Sequence, residues 1–207
     1  INATSTRAED GHALTVTNGV FAECAMFATG DQNYPGTAWF RLDGGSLTCA
    51  THFVIGRYYP GLGTLESGAL YCASNLYVSS NGGVGVLTNN GATVEANQLV
   101  VANNAAPARS ALVQHGGSLL LRSDATIGYR GDAWVEINGG DVSIARTCTV
   151  GRVSGSSGTL MLNGGSITGK NYVVVGEAGQ GTAVLSGGSL GMTGDFRIGN
   201  VAGGSGT

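Results

Sequence analysis

The sequence predicts an all-β fold: a parallel β-solenoid of about eight coils, with three short strands per coil and 23–26 residues per coil. Three observations carry that reading. The first is self-similarity. Residues 158–176 read GTLMLNGGSITGKNYVVVG, and residues 181–199 read GTAVLSGGSLGMTGDFRIG. A unit that recurs at a fixed period of about two dozen residues cannot bury its own apolar face and must stack on its neighbours. The second is alternation of apolar residues within each unit, a period of two that belongs to strands rather than helices. The third is glycine, 37 of 207 residues against only 3 prolines, without a Gly-X-Y period. Glycine at such a share marks corners that need positive φ.

Taken in order, residues 1–11 (INATSTRAEDG) are polar and aperiodic, hold the Asn2-Ala3-Thr4 sequon, and read as a lead-in or cap. Residues 12–207 form the repeat region. Sliding the clear copies backwards places coil starts near Ala13, Thr37, Thr64, Val86, Ala111, Ala133, Thr159 and Thr182, with a ninth at Thr207. The second glycines of the turns, Gly45, Gly117, Gly140, Gly165 and Gly188, are separated by 72, 23, 25 and 23 residues, and the first interval holds three coils. A chain that begins at Ile1 and breaks off as the unit restarts is expected to continue beyond Thr207.

The first strand of a coil points pairs such as Phe40/Leu42, Val135/Ile137 and Leu160/Leu162 inward, then enters a turn such as Asp43-Gly-Gly or Asn163-Gly-Gly. Asn, Asp and Gly tolerate the left-handed conformation that such a corner needs. The second strand points in Leu47/Cys49, Leu70/Cys72, Val94/Ala96, Leu119/Leu121 and Val142/Ile144. The third ends in Phe53-Val-Ile-Gly, Ala125-Thr-Ile-Gly, Cys148-Thr-Val-Gly or Val173-Val-Val-Gly, and a variable Gly/Ser-rich loop closes the coil. Equivalent positions keep the same chemistry from coil to coil, which favours stacked coils over an antiparallel sandwich. At ~4.8 Å per rung, eight coils make a rod of roughly 40 Å.

Charge narrows the function classes. Ten Lys+Arg against 13 Asp+Glu give a net charge of −3 and no basic cluster, so nucleic acid is not an expected partner. No apolar run approaches the ~18–20 residues of a membrane-spanning helix, so membrane insertion is not expected of this segment.

The copies GTLMLNGGSIT and GGSLGMTGDFRIGN resemble the Gly-rich β-strand repeats of large bacterial surface proteins, the autotransporter passenger domains among them. The resemblance covers roughly residues 13–207 and is clearest from Ala133 onward; Ser67-Gly68 and Asn90-Gly91 depart from it by lacking the Gly-Gly pair. It implies an exported protein, extracellular or at the cell surface, with a structural, adhesive or assembly role.

Four cysteines are the sharpest local feature. Cys49 and Cys72 follow the equivalent residues Leu47 and Leu70, so they stack in neighbouring coils, as a disulfide or as buried thiols. Cys24 falls near the same column and Cys148 on a third strand. No Cys/His spacing suggests zinc and no glycine-rich loop matches a phosphate-binding fingerprint, so neither metal nor cofactor is expected. The carboxylates are scattered. Asp132, Glu136 and Asp141 with Arg130 and Arg152 come closest to a catalytic cluster but fall on different corners, and the chain is not expected to be an enzyme.

The candidate contact residues are aromatic. Tyr34, Tyr58 and Tyr59 fill the variable loops of adjacent coils, and Trp39 and Trp134 each precede an inward residue and point outward. Exposed aromatics along a rod suit sugar rings or a second copy of the chain. Two function classes follow: a non-catalytic structural or adhesive rod, able to assemble end to end, or a glycan-binding or glycan-cleaving β-helix of the polysaccharide lyase or tailspike type. Carboxylates and a base converging in one groove are the mark of the second.

Overall fold

The computed structural model describes residues 2–8 (main chain), 13–32, 35–104 and 108–207. Among them there is no helix, and the strands join one continuous sheet in which the pairings are parallel. The sheet winds through three faces per coil. One outward column on the first face fixes the register: Ala13, Trp39, Leu62, Val86, Ala111, Trp134, Thr159 and Thr182 stand one above the next, 26, 23, 24, 25, 23, 25 and 23 residues apart.

Three predicted starts shift accordingly, from Thr37 to Trp39, from Thr64 to Leu62 and from Ala133 to Trp134. Gly63 is the cause of the second shift. It occupies the inward column between Phe40 and Leu87, where an added Cβ would come within 2.8 Å of Leu87 Cδ1, so glycine hides the apolar beat that marks the strand elsewhere. Residues 2–8, within the segment read as a lead-in or cap, form strand Asn2–Ala8, which pairs in parallel with Phe21–Thr29 from Asn2↔Glu23 to Ala8↔Thr29.

From Ser110 onward each coil has three separate strands, as in Asp132–Ile137, Asp141–Ile144 and Cys148–Val150. Earlier coils run through their corners in longer strands, Ala38–Cys49 and Gly61–Val78. Register shifts at Asp43 and Ser46 carry that ladder around the bend, as a bulge does. Among the described residues the corner after the third face is left-handed: Gly30, Gly56, Ser79, Ala102, Gly128, Gly151, Gly176 and Gly199 have φ between 57° and 76°.

The core runs along the axis. Near the amino-terminal end Phe27 and Phe53 stack with centroids 5.0 Å apart, and Phe40 closes the triangle at 4.7 and 5.2 Å. Further along, aliphatic columns such as Leu119, Val142 and Ile167 leave an interior gap of only about 20 Å³. In the final described coil the inward columns end at Leu185, Phe196 and Ile198, which are 51%, 48% and 57% exposed.

Candidate functional site

The third face carries a concave feature lined by polar residues. Each coil presents three residues to it, with the first and third side chains in the core and the middle one turned outward. The middle column runs Tyr77, Val100, Thr126, Thr149, Val174, Arg197. An outward column should be open to water, yet Val100, Thr126, Thr149 and Val174 are only 6%, 1%, 8% and 2% exposed. The flanking positions explain this. The residue before each strand raises one wall, formed by Gln98, Asp124, Thr147 and Tyr172, and the second residue after it raises the other, formed by Asn103, Tyr129, Arg152, Glu177 and Asn200. Short or β-branched floor residues between long polar ones make a trough along the rod.

Two hollows, of about 300 and 190 Å³, share Gln98 and Arg152, so the trough continues from Tyr77 at one end to Arg197 at the other. Its rungs are held by main-chain bonds at both walls: Ala125 N donates to Thr147 O at 2.9 Å, and Glu177 N donates to Gly151 O at 3.0 Å. Charges along it alternate. Arg146 lies 3.8 Å from Asp124, Arg152 lies 3.8 Å from Glu177, and Arg197 lies 3.0 Å from Asp195. Guanidinium groups also hold the tyrosine rings, with Arg152 5.1 Å from the Tyr129 centroid and Arg197 4.2 Å from that of Tyr172. Asp124 is fixed further by the Thr147 N–H at 3.0 Å and the Ser123 hydroxyl at 2.9 Å.

This trough was not among the sites read from the sequence. Its signal is a six-residue phrase, polar-core-X-core-Gly-polar, as in Asp124-Ala-Thr-Ile-Gly-Tyr129 and Thr147-Cys-Thr-Val-Gly-Arg152. The inner three residues and glycine are visible as a strand and its corner. That the flanking polar residues face each other depends on the bend at both ends, which the sequence does not express.

The aromatic candidates lie elsewhere. Tyr34 falls outside the described residues. Tyr58 and Tyr59 are half-buried: their N–H groups donate to Gly30 O at 2.7 and 3.0 Å, which folds their loop against the previous coil, and Arg57 sits 5.2 Å from the Tyr58 centroid. Trp39 (40% exposed) and Trp134 do share one outward column, with Leu62, Val86 and Ala111 between them. Trp134 donates its Nε1–H to Glu136 at 3.2 Å and lies under Arg109 at 5.3 Å. The tryptophans and the tyrosine loop therefore belong to different sides of the coil.

Cys24, Cys49 and Cys72 are register partners in successive coils, and all four cysteines are buried and not disulfide-bonded. The close pair is Cys24 and Cys49, with sulfurs 3.5 Å apart; the Cys72 thiol instead donates to Thr51 O at 3.1 Å and Asn75 O at 3.3 Å. The bond to Cys24, followed by burial, pushes the Cys49 thiol far above its ordinary range. Burial alone raises Cys148 to about 12. Cys49 and Cys72 are protonated core side chains, the opposite of reactive thiolates.

The loose carboxylate group resolves into separate pairs. Asp132 binds Arg109 at 3.2 Å, Glu136 accepts from Asn163 at 3.1 Å, Asp141 accepts from Ser166 at 2.6 Å, and Arg152 belongs to the trough. No cluster of three His, Cys, Asp or Glu side chains able to hold a metal occurs among the described residues. Neither a protein-family model, nor a curated protein, nor a solved structure matches the chain.

Proposed function

We propose that this chain is a structural or adhesive repeat segment of an exported bacterial protein, a non-catalytic rod that displays repeating columns of side chains at a constant rung spacing. The observation that supports it most is the unbroken first-face register from Ala13 to Thr182, in which eight successive coils present one straight outward column. A solenoid of this kind transmits contacts along its length because each coil touches only its neighbours. Location outside the cell rests on the resemblance of the glycine-cornered repeats to passenger domains. The buried thiols in the core are compatible with either redox setting.

Negative-stain electron microscopy of the purified chain, with bead adhesion to bacterial and host cell surfaces, tests the proposal. Rods that tether beads, singly or joined end to end, are expected. Compact particles without adhesion would remove the scaffold role. A second reading, a glycan-binding solenoid, is favoured by one observation: the polar trough of the third face, in which Asp124 and Glu177 meet Arg146 and Arg152.

A further inference from the structure

We infer that the third-face trough is a binding site for one strand of an uncharged, hydroxyl-rich polymer, an extended oligosaccharide laid parallel to the rod axis; this rests on the glycan-binding reading and specifies its site and ligand class. Three features point there together. The first is shape. The trough is linear, crosses the six coils from Tyr77 to Arg197, and narrows over a floor that is almost closed to water, which suits a chain and not a compact molecule. Its rungs repeat at ~4.8 Å. An extended pyranose unit has about that length, so successive sugars meet successive coils in equivalent positions.

The second feature is the chemistry of the walls. Gln98, Asn103, Asp124, Arg152, Glu177 and Asn200 are planar polar groups, each able to make paired hydrogen bonds. Vicinal hydroxyls offer a donor and an acceptor side by side, the complement of such groups. The ion pairs along each wall are long, 3.8 Å for both Arg146–Asp124 and Arg152–Glu177, which leaves donor and acceptor capacity for a ligand. The arginines already engaged with Tyr129 and Tyr172 keep the wall geometry set before binding.

The third is charge. Arg146, Arg152 and Arg197 are each matched by a carboxylate, Asp124, Glu177 and Asp195. A polyanion would have to displace those partners, and a polycation would meet the guanidinium groups. A neutral polyol does neither.

The test is titration of the intact chain with cellohexaose, xylohexaose, maltohexaose and hexagalacturonate, followed by calorimetry and by amide NMR shifts. Binding of a neutral hexasaccharide at millimolar or tighter affinity is expected, with shifts at Thr126, Thr149 and Arg152. The wall variants Gln98→Ala and Arg152→Ala, where the two hollows meet, are expected to weaken it about tenfold each, while Trp134→Ala and Tyr58→Ala leave it unchanged. Circular dichroism confirms that the variants fold. Neutral sugar binding that ignores Gln98→Ala and Arg152→Ala overturns the trough as the site while the glycan reading stands. Binding of hexagalacturonate alone overturns the ligand class, and binding of none of the four overturns both the site and the glycan reading.

Discussion

Asn89 and Gln114 face each other in the core of adjacent coils, the Asn89 amide donating to Gln114 Oε1 at 3.1 Å with both side chains 1% exposed. They hold inward positions that Leu65 fills on one side and Ile137 on the other. Asn89 has a second task. Its Nδ2 donates to Ala92 O at 3.1 Å and its Oδ1 accepts from Ala92 N at 2.9 Å, closing a corner between the first and second faces where the sequence lacks a Gly-Gly pair. The side chain supplies what a left-handed glycine supplies in neighbouring coils.

That division of labour predicts unequal costs. In Gln114→Leu, Asn89 keeps both bonds to Ala92 and the new side chain matches the aliphatic column, so the loss is expected to stay within about 1–2 kcal/mol. Asn89→Leu also strands the buried Ala92 N–H and is expected to cost about 2 kcal/mol more. Urea denaturation of the two variants checks the order, and equal losses would refute the capping role.

Gly151 is predicted to be irreplaceable at its corner. Its φ is +69°, and an added Cβ would stand 2.1 Å from Gln180 O in the next coil. Relief requires the coils to part, so Gly151→Ala is expected to destabilise by more than the ~1–2 kcal/mol of the left-handed conformation alone. Ala102 takes the equivalent corner at φ 57°, so a Cβ is tolerated there and the cost at Gly151 comes from the close approach. Thermal unfolding of Gly151→Ala beside Ala102→Gly separates the two contributions.

Cys148 predicts a pH dependence. Burial raises its thiol from 9.0 to about 12, so the unfolded chain ionises first. Its contribution to stability is complete below pH 9 and falls as the pH rises from 9 towards 12. Three units correspond to a loss on the order of 4 kcal/mol. Cys148→Ala, weaker at neutral pH through a lost core contact, is expected to flatten this alkaline limb in urea titrations. An unchanged slope would contradict the assignment.

The sequence reveals most of the fold because the solenoid is built from local rules that repeat. Leu47/Cys49, Val142/Ile144 and Val173-Val-Val-Gly stand in the columns their alternation predicts. Register slips where the repeat is masked, at Gly63 in an apolar column; at Asn89 and Gln114, polar side chains in inward positions, the predicted coil starts Val86 and Ala111 hold. The trough is legible only in hindsight, since Asp124 and Tyr129 lie five residues apart and stand on opposite walls only through bends at both ends of the strand. The aromatic residues drew attention by type, yet Trp134 and Tyr58 are engaged by Arg109 and Arg57 on other sides of the coil.

The in-register stack underlies every functional statement, and one distance tests it directly. Leu62 and Thr182 belong to the same first-face column, five rungs apart by way of Val86, Ala111, Trp134 and Thr159. Spin labels at Leu62→Cys and Thr182→Cys attach selectively because the native thiols are buried. Electron double resonance should then give a single narrow distance of about 24 Å between the labelled main-chain positions. A broad distribution, or a distance far from that value, would contradict the parallel solenoid and with it the trough and the rod.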